Sequence, residues 1–384
     1  MMNFQIKYLI FRNPKMEENL IENFRNLRSF SENDTILISV IFSIIILSAL
    51  FNIITAYITK GSYQSVFSLI NFCQIMLFIP LTSVYTPSKI TEFIRSMRPS
   101  LFSFYHFNWS NTNLISDFIG KWQTTQTNTS LNFIGLENAS TYLNSHIVMN
   151  LLAIILIIHI ILLPVNWLIS KNETQGCFGN IVKYSMNYLS FTFYIRFFLE
   201  IYLLLSLASI SEIKRFKTSG SIQTRSFIFA IFTAAFLVLI LVISVIHWQK
   251  YGIVDDFEES KLKSLYSGLN PERYARSFNI LFMTRRFLFV IVLILAYNAD
   301  RVIKISILSV LQLGYSILLL LLRPFESRKD NILEIINELG FLVICSSLIY
   351  LYKNSHWKTS LEWLIWSLIL AILIAFLIVS FGKW

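Results

Sequence analysis

The residues of this chain that could do chemistry stand in oily surroundings, and few of them have company. Arg196 and Glu200 fall four positions apart inside one apolar run, a spacing that puts both on one face of a helix. A lone charge at that depth costs several kcal/mol, so a mutual ion pair is the economical arrangement, and a polar lining for an ion or solute pathway is the functional one. Arg285 and Arg286 stand at the start of a second run, Gln312 in the middle of a third, and Arg323-Pro324-Phe325 closes that third run. Asn331, Glu334, Asn337 and Glu338 follow at i, i+3, i+6 and i+7, within about one third of a helical circumference. Two carboxylates one turn apart with two amides can bind a cation. They can equally cap and solvate the entry of a helix, because acids at a helix N-terminus favour its dipole.

Enzyme signatures are missing. The chain has no HExxH, no GxSxG, no phosphate-cradling glycine loop, and no spaced His/Cys cluster among its five histidines. His159 reads as a packed polar residue. The three cysteines, Cys73, Cys177 and Cys345, lie in or beside hydrophobic runs without a CxxC pair and read as packed thiols. No catalytic residue, no metal site and no cofactor is expected.

Apolar segments of spanning length position these residues, at about 36–58, 66–86, 147–169, 184–209, 227–247, 279–298, 302–322, 336–352 and 361–381. Each is near the roughly 20 residues that a hydrocarbon core of about 30 Å requires. The expectation is an all-α, polytopic helical membrane protein with about nine transmembrane helices. Pro80 and Pro164 lie toward the ends of their helices, where they kink or terminate a span. Starting the sixth helix near Asn279 puts Arg285 and Arg286 about 9–11 Å along it. Long arginine stems can snorkel that far, so these two and Arg323 are expected to meet lipid headgroups at an interface. Adjacent positions point about 100° apart, so one arginine can reach phosphate while the other meets an acid in the bundle.

Composition agrees with that class. Hydrophobic residues make up 55% of the 384 and charged ones 14%, with a mean hydropathy of +0.61, against about a quarter charged in a soluble chain. The net charge of +10 sits at the ends of apolar runs, which points to anionic membrane lipids as partners and away from nucleic acid. Residues 1–34 form a mixed-charge polar segment with no cleavable signal pattern. Either the run from Ile36 is its own signal-anchor, or the chain is the rear part of something larger.

The longest connection, 87–146, carries three N-x-S/T sequons, at Asn108, Asn128 and Asn138. They favour an extracellular or lumenal loop, with glycosylation there. Alternation then puts the N-terminus outside and the C-terminus in the cytoplasm. The basic 248–278 and 323–335 connections suit a cytoplasmic face, whereas the 210–226 loop and the N-terminal segment conflict with it.

Several short stretches form an ordered set: Phe67-Ser68-Leu69-Ile70-Asn71-Phe72-Cys73-Gln74 followed by Pro80-Leu81, Asn132-Phe133-Ile134-Gly135-Leu136, and Leu265-Tyr266-Ser267-Gly268-Leu269. Arg285-Arg286, Gln312, Arg323-Pro324-Phe325 and Asn337-Glu338 complete it. In order and spacing this set, over roughly residues 35 to 350, resembles a ciliate family of polytopic surface proteins. Their C-terminal membrane module is transient-receptor-potential-like (TRP-like). The resemblance implies a module of about nine helices that often follows a cysteine-rich, repeat-bearing ectodomain. Here 34 residues without cysteine precede the first expected helix. By analogy it suggests cation conduction, though no selectivity-filter motif is visible.

The functional expectation is a non-enzymatic integral membrane protein, a TRP-like cation channel subunit or transporter. Arg196, Glu200, Gln312, Glu334, Asn337 and Glu338 would then line its polar pathway. The alternative is a non-transporting surface anchor that acts through partners, either further copies of itself or an ectodomain-bearing protein. Glycosidase treatment of Asn108→Gln, Asn128→Gln and Asn138→Gln variants checks the orientation. Stepwise loss of the mobility shift is expected, and a triple variant that runs like the parent removes the argument for an outside loop.

Overall fold

A computed structural model describes residues 64–82, 140–171, 192–215, 221–251, 265–266, 268–296, 299–353 and 358–381, with single positions at 90, 91, 93, 94, 97, 179 and 182. Eight α-helices account for most of them: α1 Gln64–Met76, α2 Thr141–Lys171, α3 Thr192–Arg215, α4 Ser221–Tyr251, α5 Phe278–Leu295, α6 Arg301–Leu322, α7 Arg328–Lys353 and α8 Lys358–Phe381. Among the described residues there is no strand, only an isolated bridge between Leu269 and Phe325. Six helices, α2 to α7, are long and apolar enough to cross a membrane, which is consistent with an integral membrane protein. The stretches Phe67–Thr82 and Trp363–Ala375 are apolar but shorter. The expected span 36–58 and the three sequon asparagines lie outside the described residues.

The core is a bundle in which α3, α5 and α7 carry the most buried faces. α3 packs against α2, α4 and α5, α6 packs against α5 and α7, and α7 against α8 and α1. Burial separates inner helices from outer ones. None of residues 152–169 of α2 is buried. Isoleucines and leucines are exposed all along that segment, as at Ile157, Ile160 and Ile161. A helix this apolar on every exposed side is matched to lipid, not to water.

Several boundaries differ from the sequence expectation, each for a local reason. α7 begins at Arg328, eight residues before the expected 336, and takes Asn331 and Glu334 into the helix. Its polar first two turns hid that start from a hydropathy reading. α2 begins at Thr141 inside the expected loop, because Ser145 returns its hydroxyl hydrogen to the Thr141 carbonyl at 2.8 Å and the Thr141 amide donates to Glu212 at 2.5 Å. The 87–146 stretch is also not polar throughout: Ile90, Phe93, Ile94 and Met97 are fully buried in the core, and Phe93 lies tilted against Trp366 with centroids 5.1 Å apart. α2 runs on through Pro164 to Lys171, whereas α1 stops short of Pro80, which sits in a 3-10 turn over Ile79–Thr82. Cys73 and Cys345 are buried free thiols.

The α7–α8 contact is close because Gly340 has no side chain. A Cβ built there would lie 2.3 Å from Cδ1 and 3.2 Å from Cγ1 of Ile372. Gly340→Val is therefore expected to cost about 1–3 kcal/mol through overpacking. Adding Ile372→Ala should recover part of it, read as the unfolding midpoint in detergent.

Candidate functional site

The candidate site is a layer of charged and amide side chains in the interior of the bundle. Arg285 and Arg286 from α5, Glu200 from α3, Gln312 and Tyr315 from α6, Glu334, Asn337 and Glu338 from α7, and Ser68 and Asn71 from α1 are all buried. Measured from the bundle end where α5 and α7 begin and α6 stops, Glu334, Arg285, Glu200, Gln312 and Glu338 lie about 9–15 Å in, at 1.5 Å per residue.

Helix geometry sends the paired arginines to different neighbours. The roughly 100° between successive side chains turns Arg285 toward α7, where it forms an ion pair with Glu338. Arg286 turns toward α3, pairs with Glu200 at 3.4 Å, and donates to the Leu199 and Glu200 carbonyls at 2.6 and 3.3 Å. The guanidinium faces are covered as well as the edges. Arg285 sits 4.0 Å from the Tyr315 ring centroid and Arg286 4.0 Å from that of Phe282.

Asn71 joins the two pairs. Its amide oxygen accepts from Arg285 Nη2 at 3.3 Å and Arg286 Nη2 at 3.1 Å, and its nitrogen donates to Glu334 at 3.2 Å and Glu338 at 3.3 Å. One carboxamide thus faces two cations with its oxygen and two carboxylates with its nitrogen, using both donors and both lone pairs. Gln312 adds its amide nitrogen to Glu338, on both the carboxylate and the backbone oxygen. Glu334 is bonded differently. Its carboxylate accepts from the Ser68 hydroxyl and from Asn71, both neutral donors, and Asn337 in turn donates to Ser68 Oγ at 2.9 Å.

A cavity of about 40 Å³ reaches this layer, walled by Ser68, Asn71, Arg196, Glu200 and Glu334 and bounded by Leu269, Phe278 and Phe325. Its outer boundary is a clasp. Asn270 N–H donates to the Pro324 carbonyl at 2.7 Å, and Glu326 N–H donates to the Gly268 carbonyl at 3.2 Å. Gly268 takes φ +80°, which favours glycine, and Arg323 turns the chain out of α6 at φ 39°. Phe278 packs edge-on to Phe325, 4.7 Å between centroids, beneath that clasp.

These placements correct three readings from the sequence. Arg285 and Arg286 do not snorkel to lipid headgroups: they are 4% and 1% exposed, held inward by acids on two other helices. Arg323, by contrast, is exposed at the helix end. The ion pair of Glu200 is with Arg286, from another helix, while Arg196 lies over the Phe67 ring at 5.3 Å and lines the cavity. The face Asn331–Glu334–Asn337–Glu338 divides. The last three enter the layer, but Asn331 is spent on the turn before α7, donating to the Phe325 and Ser327 carbonyls and accepting from Phe325 N–H.

Sequence reasoning missed Ser68 and Asn71 as site residues. Their signal was the spacing Ser68, Asn71, Gln74, a polar stripe at three-residue intervals in an apolar run. It also missed Lys304, buried near the far end of α6. His159 packs as expected, its Nδ1 3.2 Å from the Tyr194 hydroxyl. No family model matches this chain, and no curated protein or solved structure matches it either.

Removing one partner of a buried ion pair strands the other. Arg286→Met is expected to destabilise the fold by about 3–5 kcal/mol. The double variant Arg286→Met/Glu200→Gln should recover much of that loss, measured as a coupling energy from equilibrium unfolding in detergent micelles.

Proposed function

We propose that this chain is an integral membrane protein that moves a small cation, a channel subunit or transporter of the TRP-like type, with the buried arginine–glutamate layer as its ion-handling element. One observation carries this reading. Of the three carboxylates in the layer, Glu200 and Glu338 are paired with Arg286 and Arg285, while Glu334 is bonded to neutral donors and lines a cavity that leads to it. Charges at such depth are expensive to keep and are typical of ion pathways. The two matched pairs, Arg285–Glu338 and Arg286–Glu200, supply the rigid frame, and Glu334, with no guanidinium bonded to it, supplies the ion-handling acid. The clasp between residues 268–270 and 324–326 is where the cavity would open.

Flux into liposomes containing the purified chain tests the reading. Glu334→Gln is expected to remove most of the flux, about tenfold or more, which corresponds to roughly 1.4 kcal/mol in the limiting step. Asp300→Asn, at the exposed cap on the other end of α6, should leave it unchanged. Equal flux through the parent and Glu334→Gln would exclude the acidic layer from the pathway, and absence of flux in a folded parent would favour the anchor reading instead.

A further inference from the structure

We infer that Glu334 is a proton-binding site, so that the cation handled by the layer is H⁺. This rests on the transport reading above and names its substrate. Sodium, magnesium and calcium take several oxygen ligands, and the Asn71 and Ser68 oxygens beside Glu334 in the cavity wall are already committed. Asn71 Oδ1 is held by both arginines, and Ser68 Oγ accepts from Asn337 while donating to Glu334. A volume of about 40 Å³ is room for two or three waters, not for a hydrated metal ion.

A proton needs none of those ligands. Among the described residues, the titratable and charged groups around Glu334 come from four helices. α3 presents Arg196 and Glu200, α5 presents Arg285 and Arg286, α6 presents Tyr315, and α7 itself presents Asp330 and Glu338. α1 presents the neutral Ser68 and Asn71 with the buried thiol of Cys73, and the described buried residues of α8 are apolar. Glu200 and Glu338 have guanidinium partners. Glu334, 2% exposed, is bonded to neutral donors, so its charge is the one a proton can cancel.

The hydrogen bonds allow the exchange. In the charged state Ser68 Oγ–H donates to Glu334 Oε2. A proton delivered by water from the cavity bonds to a carboxylate oxygen, and the new O–H donates to Ser68 Oγ. The serine hydrogen then turns to a carbonyl of its own helix, as Ser206, Ser209 and Ser316 already do in theirs. Two buried amide oxygens in the layer, Asn337 Oδ1 and Gln312 Oε1, accept no hydrogen bond among the described residues. The layer therefore has spare acceptors and room for one more donor.

Infrared difference spectroscopy on the intact, detergent-solubilised chain during a pH titration reads the protonated carboxyl directly. One carbonyl-stretch band, set apart in frequency from the broad band of the solvated carboxyls, is expected to appear and vanish with pH in the parent and to be lost in Glu334→Gln. Ser68→Ala should keep the band but shift its frequency, and Asp300→Asn, at the exposed cap on the other end of α6, should leave that band in place. A band that persists in Glu334→Gln, or no titrating band in the parent, overturns the assignment. Liposome flux separates this from the transport reading. Sodium or potassium flux without a titrating carboxyl keeps transport and removes the proton, whereas a titrating carboxyl without flux does the opposite.

Discussion

The structure depends on one carboxamide. Asn71 is where the two ion pairs meet, and its polarity matches them: oxygen toward two guanidiniums, nitrogen toward two carboxylates. In a bundle surrounded by lipid, helices gain little from burying apolar side chains against one another, because the acyl chains are as apolar as leucine. Specific polar contacts then choose the register. Those through Asn71, Arg285 and Arg286 tie α1, α3, α5 and α7 together at one depth, and Gln312 adds α6. Shifting any of these helices along its axis by one residue, about 1.5 Å, would leave buried charged groups without their partners.

Around that layer the molecule is graded from dry to wet. Apolar side chains fill the core beside it, and the cavity with Arg196 lies on one flank. The clasp of Leu269 and Phe325 lies beyond. Gly268 and Arg323 give the clasp its shape through two left-handed residues, and Asn331 fixes the turn by three hydrogen bonds. Rings and backbone close this door, not charges.

Spanning helices were legible from composition, since runs such as 152–169 admit few other folds. The depth of Arg285 and Arg286 was legible too, because a helix advances by a fixed rise. Their direction was not. A sequence states how far along an axis a side chain sits, but the side it faces depends on which helix packs there. That is why stems long enough to reach phosphate turned inward to Glu200 and Glu338. The early start of α7 was hidden for a related reason: hydropathy averages treat Asp330, Glu334 and Glu338 as solvated, although the last two are among the most buried residues present. Ser68 and Asn71 looked like incidental polar residues until their partners, more than 260 positions away, were placed beside them.

That separation also imposes an order in time. Glu200 precedes Arg286, so the arginine meets its acid as soon as α5 is made. Arg285 must wait for Glu338, and Asn71 waits for Glu334 across 263 residues. At about 5–20 residues per second this is a delay of roughly 13 to 53 s. During synthesis the bundle therefore holds a half-paired layer, and only the arrival of α7 completes it. A chain that stalls before Glu334 would carry an arginine without its acid, a feature by which quality control in the membrane can tell unfinished copies from finished ones.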